Sequence, residues 1–106
     1  MDQHAFENYL DTHSQEERTK PLGRMVKNAF GMQEKVVLPK SYWQYVMWLE
    51  DQYGYDLESY FIQCDEERTD WTLSETIMYW LHRDMTERQA KGEPLPDPEE
   101  LDRTYI

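Results

Sequence analysis

Residues 32–54, MQEKVVLPKSYWQYVMWLEDQYG, contain a single change of period, and that change decides the fold. Over 32–38 the side chains alternate, with Val36 and Leu38 to one side and Gln33, Lys35 and Val37 to the other. Alternation of this kind is the pattern of a half-buried strand. Pro39 has no amide to give a ladder and ends it. From Ser41 the spacing lengthens to that of a helix: Trp43, Val46, Met47, Leu49 and Tyr53 recur on one face. Ser41 suits the N-cap and Gly54 suits a left-handed stop.

Downstream, Asp56 is placed to cap a second helix of about nine residues that buries Leu57, Tyr60, Phe61 and Cys64. An acidic connector, DEERTD, follows. Thr72 and Glu75 then form a capping box that opens a third helix. Its TIMYWL stretch is apolar nearly all round, which predicts burial on more than one side. The helix turns polar from His82 and stops near Gly92. Residues 93–106 form a tail with Pro94, Pro96 and Pro98, in which Asp97 and Pro98 suit the start of one helical turn. Upstream, Ala5, Phe6, Tyr9 and Leu10 share one side of a short amphipathic segment. Met25, Val26, Ala29 and Phe30 repeat a helical spacing before Gly31. The expected organisation is therefore a helical arm over 1–31, a domain over 32–92 and a tail over 93–106.

With 106 residues, one domain is expected. Four Trp and eight Tyr supply enough bulky apolar surface for a core, which argues against a wholly disordered chain. A lone cysteine, Cys64, has no partner for an intramolecular disulfide. No apolar run approaches the ~18 residues that span a bilayer. The first residues, Asp2, Gln3 and His4, are unlike a signal peptide. A reducing cytoplasm, an inert buried thiol and no membrane association are the expectations.

Catalytic and metal chemistry find no foothold. His4, His13 and His82 are scattered and lack zinc spacing. His82 and Asp84 are two apart on a helix and do not face each other. The four glycines never gather into a phosphate loop. Glu66 and Glu67 lie in a solvated acidic run, and nothing pairs a nucleophile with a base. The expectation is no enzyme, no metal and no cofactor.

Charge is distributed unevenly. The net charge is -11, which at face value opposes nucleic-acid binding. Residues 1–17 carry -5 and residues 41–106 carry -11, whereas residues 18–40 carry +5. That positive stretch holds Arg18, Lys20, Arg24, Lys27, Lys35 and Lys40 against Glu34 alone. Such asymmetry marks a localised electrostatic footprint.

A lone strand leaves backbone edges that need a partner. Two copies pairing their strands antiparallel would satisfy both, which is the plan of the ribbon-helix-helix dimer. Residues 36–65 resemble a branch of that superfamily, of the Arc/MetJ type with an added third helix. The likeness rests on Val36 and Leu38 at the strand end, Tyr42–Trp43 opening the first helix, Gly54 before the second, Asp65 eleven positions on, and Leu73–Ser74 opening the third. It implies a mainly α fold: an intertwined homodimer with one short strand per chain, a third helix and the N-terminal helical arm. Val36, Leu38 and Trp43 would then lie at the dimer interface. It also implies that Gln33, Lys35 and Val37 read bases, although Val37 stands where the branch usually carries arginine. The start of the second helix would anchor a phosphate, but here it carries Asp56 and Glu58.

Two functions remain open. One is a DNA-binding transcriptional regulator, with Gln33, Lys35 and Val37 at base edges and Arg18, Lys20, Arg24, Lys27 and Lys40 on phosphates. The other is an acidic interaction module on the same dimer that binds a basic protein partner or mimics nucleic acid.

Overall fold

The chain is described over residues 19–105 by a computed structural model. Strand β1, Pro21–Lys27, pairs antiparallel with strand β2, Gln33–Pro39, in a two-stranded sheet. Helices α1 (Lys40–Tyr53), α2 (Leu57–Glu67), α3 (Leu73–Ala90) and α4 (Pro98–Thr104) follow. The fold is mainly helical, as expected, but the ribbon differs from expectation.

Residues 21–27 form a strand where a helical arm is expected, and the described residues hold two strands rather than one. The boundary expected after residue 31 falls inside a hairpin. Its turn accounts for the difference. Gly31 N–H donates to the Asn28 carbonyl at 3.0 Å and Asn28 N–H to the Met32 carbonyl at 2.8 Å, with Gly31 at a φ of 76°. A left-handed glycine after a tight turn gives the strands a matching twist and closes a hairpin of short loop. The second strand that a lone β2 would need thus comes from the same chain. The expected segment 2–13 and residue Arg18 lie outside the described residues.

Register places Leu22 opposite Leu38, Arg24 opposite Val36 and Val26 opposite Glu34 on the inward face. Val36 and Leu38 are fully buried. They join Trp43, Val46 and Leu49 of α1, Phe61 and Cys64 of α2, Leu73, Ile77 and Leu81 of α3 and Leu101 of α4 in one core. Val36, Leu38 and Trp43, expected at a dimer interface, are buried within their own chain's interior.

β2 runs into α1 without a loop. Pro39, at a φ of -56°, occupies the N-cap position with no side-chain cap, so Ser41 lies inside the helix rather than capping it. Proline's fixed φ suits the junction. Gly54 stops α1 at a φ of 70°, its N–H donating to the Glu50 carbonyl. Asp56 caps α2 by accepting from Glu58 N–H, and Thr72 caps α3 by accepting from Glu75 N–H at 3.1 Å. Burial along α3 is confined to one broad face: Ile77 and Leu81 are inaccessible, whereas Tyr79 is half exposed. The tail is part of the body. Asp97 caps α4, and Gln44 on α1 donates to the Asp102 carboxylate at 3.0 Å and the Tyr105 carbonyl at 2.8 Å.

Trp43 ties the layers together. Its indole N–H donates to the Leu22 carbonyl at 2.9 Å, and its ring stands edge-on to Phe61 at 6.1 Å. Trp43→Ala would open a cavity and remove the side-chain hydrogen bond to that carbonyl. Chemical denaturation should show a loss of roughly 3–5 kcal/mol.

Candidate nucleic-acid interface

The hairpin has two faces because strand side chains alternate. Opposite residues of an antiparallel pair point the same way, so the outward face is built of four rows. These are Pro21 with Pro39, Gly23 with Val37, Met25 with Lys35, and Lys27 with Gln33. Gln33, Lys35 and Val37 are all exposed, so these three expected contact residues share one accessible face. Lys27 and Met25 join them from β1.

Gly23 has a packing role on this face. A Cβ there would sit 2.7 Å from Lys35 Cε, so the bare glycine lets the lysine stem lie across the ribbon. Lys27 Nζ lies 3.7 Å from the Glu58 carboxylate, with both side chains about half exposed. Such a pair is weak in water and leaves the lysine available to a stronger anion. Arg24 points the other way, its guanidinium 5.0 Å from the Trp43 ring centre. Lys20 and Lys40 stand together at the ribbon base, where Lys40 N–H donates to the Lys20 carbonyl. Arg18 lies outside the described residues.

The far end of the ribbon is fixed to α2. Asp65, buried, accepts from Ala29 N–H at 2.7 Å and pairs with Arg68 Nε at 2.5 Å. Arg68 reaches on to Glu34 at 3.1 Å, and Glu34 also accepts from Asn28 Nδ2. The two acids nearest the turn thus share one guanidinium and are hydrogen-bonded within the fold. At the start of α2 the Glu58 amide is engaged by the helix's own Asp56, whose carboxylate also takes the Ser59 hydroxyl. That turn presents negative charge where the resemblance implies a phosphate anchor.

Asp84 accepts from the Tyr45 hydroxyl and from Arg88 Nε at 2.9 Å, and not from His82. Burial raises the Tyr45 hydroxyl far above its ordinary range, with the Asp84 carboxylate adding to the effect. Among the described residues, no group of three or more His, Cys, Asp or Glu is arranged to hold a metal ion. No helix among them is long and apolar enough to cross a membrane.

Two features escaped the sequence reading. The first is the position of Lys27 and Met25, because the spacing of Met25, Val26, Ala29 and Phe30 predicts a helix where β1 lies. The second is a groove of about 350 Å³ between α1 and α3, lined by Tyr42, Trp71, Glu75, Met78, Tyr79 and His82. The run 71, 75, 78, 82 has the spacing of one helix face, which is the signal that could have found it. Comparison with family models, curated proteins and solved structures finds no match for this chain.

Cys64 is buried, and that burial, with the Glu67 charge behind it, pushes its thiol up to about 12. The thiolate is the reactive form, so the native cysteine should be inert near neutral pH. Modification by a disulfide reagent at about pH 8 should be at least about a hundredfold slower in native protein than in denaturant.

Proposed function

We propose that this chain is a DNA-binding regulator that lays the β1–β2 ribbon in the major groove of duplex DNA. The groove admits a two-stranded ribbon, and its base edges are read by lysine and glutamine side chains. The observation supporting this is the outward ribbon face, where Gln33, Lys35 and Lys27 stand together with no part in the core. In this reading Lys35, Gln33 and Lys27 meet bases, Val37 and Met25 offer apolar contact, and Lys20 and Lys40 meet phosphates at the base. Arg24, drawn inward over Trp43, contributes through its charge.

The homodimer that a lone strand would require is not needed to complete the ribbon. A second copy enters the proposal only as a source of a second ribbon and a longer recognition site. The role assigns no catalytic step and no cofactor, and it places the protein with the DNA in the cytoplasm.

A second reading, an acidic protein-interaction module, has one observation in its favour. The Tyr42, Trp71, Met78 and Tyr79 groove is apolar, open and edged by Glu75, which suits a segment of a partner bearing both apolar and basic residues.

Salt titration of binding separates the two. With Lys20 and Lys40 on phosphates and the Arg24 charge close by, one ribbon offers about two or three phosphate contacts, so the logarithm of affinity should fall with the logarithm of salt at a slope near -2 to -3. Lys35→Ala should weaken binding and blur sequence preference, whereas Lys20→Ala should weaken it evenly. Neutralising Asp56 and Glu58 together should tighten it by removing repulsion beside Lys27. Absence of binding to a pool of genomic duplex fragments at ~50 mM salt would overturn the DNA reading. The interaction reading predicts instead that Lys35→Ala is silent and that Tyr79→Ala abolishes partner capture.

A further inference from the structure

The most exposed large apolar side chain of the described residues is Phe30, at 83%, on the tip of the hairpin. Met32 and Met25 stand exposed beside it at 65% and 58%. An exposed phenylalanine on a loose loop would carry little information, but this turn is fully organised. All five backbone N–H groups from Asn28 to Met32 donate. Asn28 gives to the Met32 carbonyl, Ala29 to the Asp65 carboxylate, and Gly31 to the Asn28 carbonyl. Phe30 and Met32 both give to Asn28 Oδ1, at 2.9 and 3.0 Å. Asp65 is itself held by Arg68, so the turn is braced against α2. The backbone cannot fold the ring back onto the body without breaking several of these bonds.

The surroundings of the ring point to its partner. Lys27 and Lys35 lie behind it on the outward face, Lys27 only weakly held by the exposed Glu58 at 3.7 Å, and the nearby acids Glu34 and Asp65 share Arg68. An apolar protein pocket asks for no flanking cations. A stack of bases between two phosphate chains asks for an apolar ring flanked by cations.

We propose that Phe30 is a wedge that the hairpin tip inserts at a base step next to the bases the ribbon reads, unstacking the step and bending the duplex. The inference rests on the DNA-binding reading and goes beyond it. Apolar side chains that enter a base step unstack it and kink DNA. The cost is lowest at pyrimidine–purine steps such as TA and CA. The proposal therefore adds to the base readout a preference for a deformable step at a fixed distance from the bases under Gln33 and Lys35.

The test uses the full chain and a duplex recovered by selection from a random pool. The duplex carries 2-aminopurine at each candidate step in turn and a donor–acceptor dye pair at its ends. Wild-type protein should raise 2-aminopurine fluorescence at one step and shorten the end-to-end distance. Phe30→Ala should keep the melting temperature and the salt slope, lose both signals and weaken binding by about tenfold. Phe30→Trp should retain them. Binding by Phe30→Ala with unstacking and bending unchanged would overturn the wedge and leave the ribbon reading intact. A self-association of wild-type protein, seen by sedimentation without DNA and lost in Phe30→Ala, would assign the tip to contact between copies and overturn the wedge. Failure of wild-type protein to bind any duplex would overturn both readings.

Discussion

Asp65 is the residue on which the geometry of the ribbon depends. Its carboxylate is withdrawn from water, and a buried charge is tolerated only when it is paired and hydrogen-bonded. Arg68, one turn on, supplies the charge, and Ala29 N–H in the hairpin turn supplies the second bond. Because one oxygen is taken by α2's own end and the other by the turn, the carboxylate works as a short strut between helix and hairpin. Arg68 then spans to Glu34 on β2, so strand, turn and helix end share one network. Charge-assisted bonds of this sort have narrow geometry, and the hairpin therefore has one position relative to the helices.

The other end of the ribbon is held by different means. Lys40 N–H closes the ladder onto the Lys20 carbonyl, and Trp43 reaches back from α1 to the Leu22 carbonyl. Pro39 lets β2 become α1 with no intervening loop. Along its length the inward face is pressed into the core by Val36 and Leu38, while Ser74 Oγ accepts from Val37 N–H at the sheet edge. A ribbon fixed at both ends and buried on one face has only its outward face left for a partner. That is why residues with no packing duty could accumulate there.

The helices were legible because their signals are local. Gly54, Asp56, Thr72 with Glu75, and Asp97 with Pro98 are end signals, and each acts as its type predicts. The residues carrying the family resemblance also have structural explanations: Gly54 stops α1, Asp65 holds the turn, and Ser74 covers an amide at the edge of β2. Strand β1 was hidden because its inward row is Leu22, Arg24 and Val26. An arginine at a core-facing position breaks the alternation on paper, although its guanidinium lies over Trp43. Glu34 disguises β2 in the same way and is satisfied by Arg68. With the period of two masked, Met25, Val26, Ala29 and Phe30 read as helix. The hairpin's own signal in the sequence is Asn28 with Gly31, the first and last positions of a tight turn. The surface groove was illegible for another reason, since its Tyr42 and Tyr79 meet only through tertiary packing.

The acidic bulk and the basic ribbon belong to one electrostatic design under the DNA-binding proposal. A uniformly basic domain approaches a duplex in many orientations and holds it with little regard to sequence. Here residues 41–106 carry -11, so a duplex is repelled by the helices and admitted only along the hairpin. Repulsion lowers total affinity, but it lowers the affinity of wrong orientations more. With few phosphate contacts, base edges and the deformability of the duplex must supply a larger share of the binding. Asp56 and Glu58, at the start of α2, are the extreme case: they cancel attraction at a point where a helix N-terminus would otherwise hold any phosphate, whatever the sequence beside it.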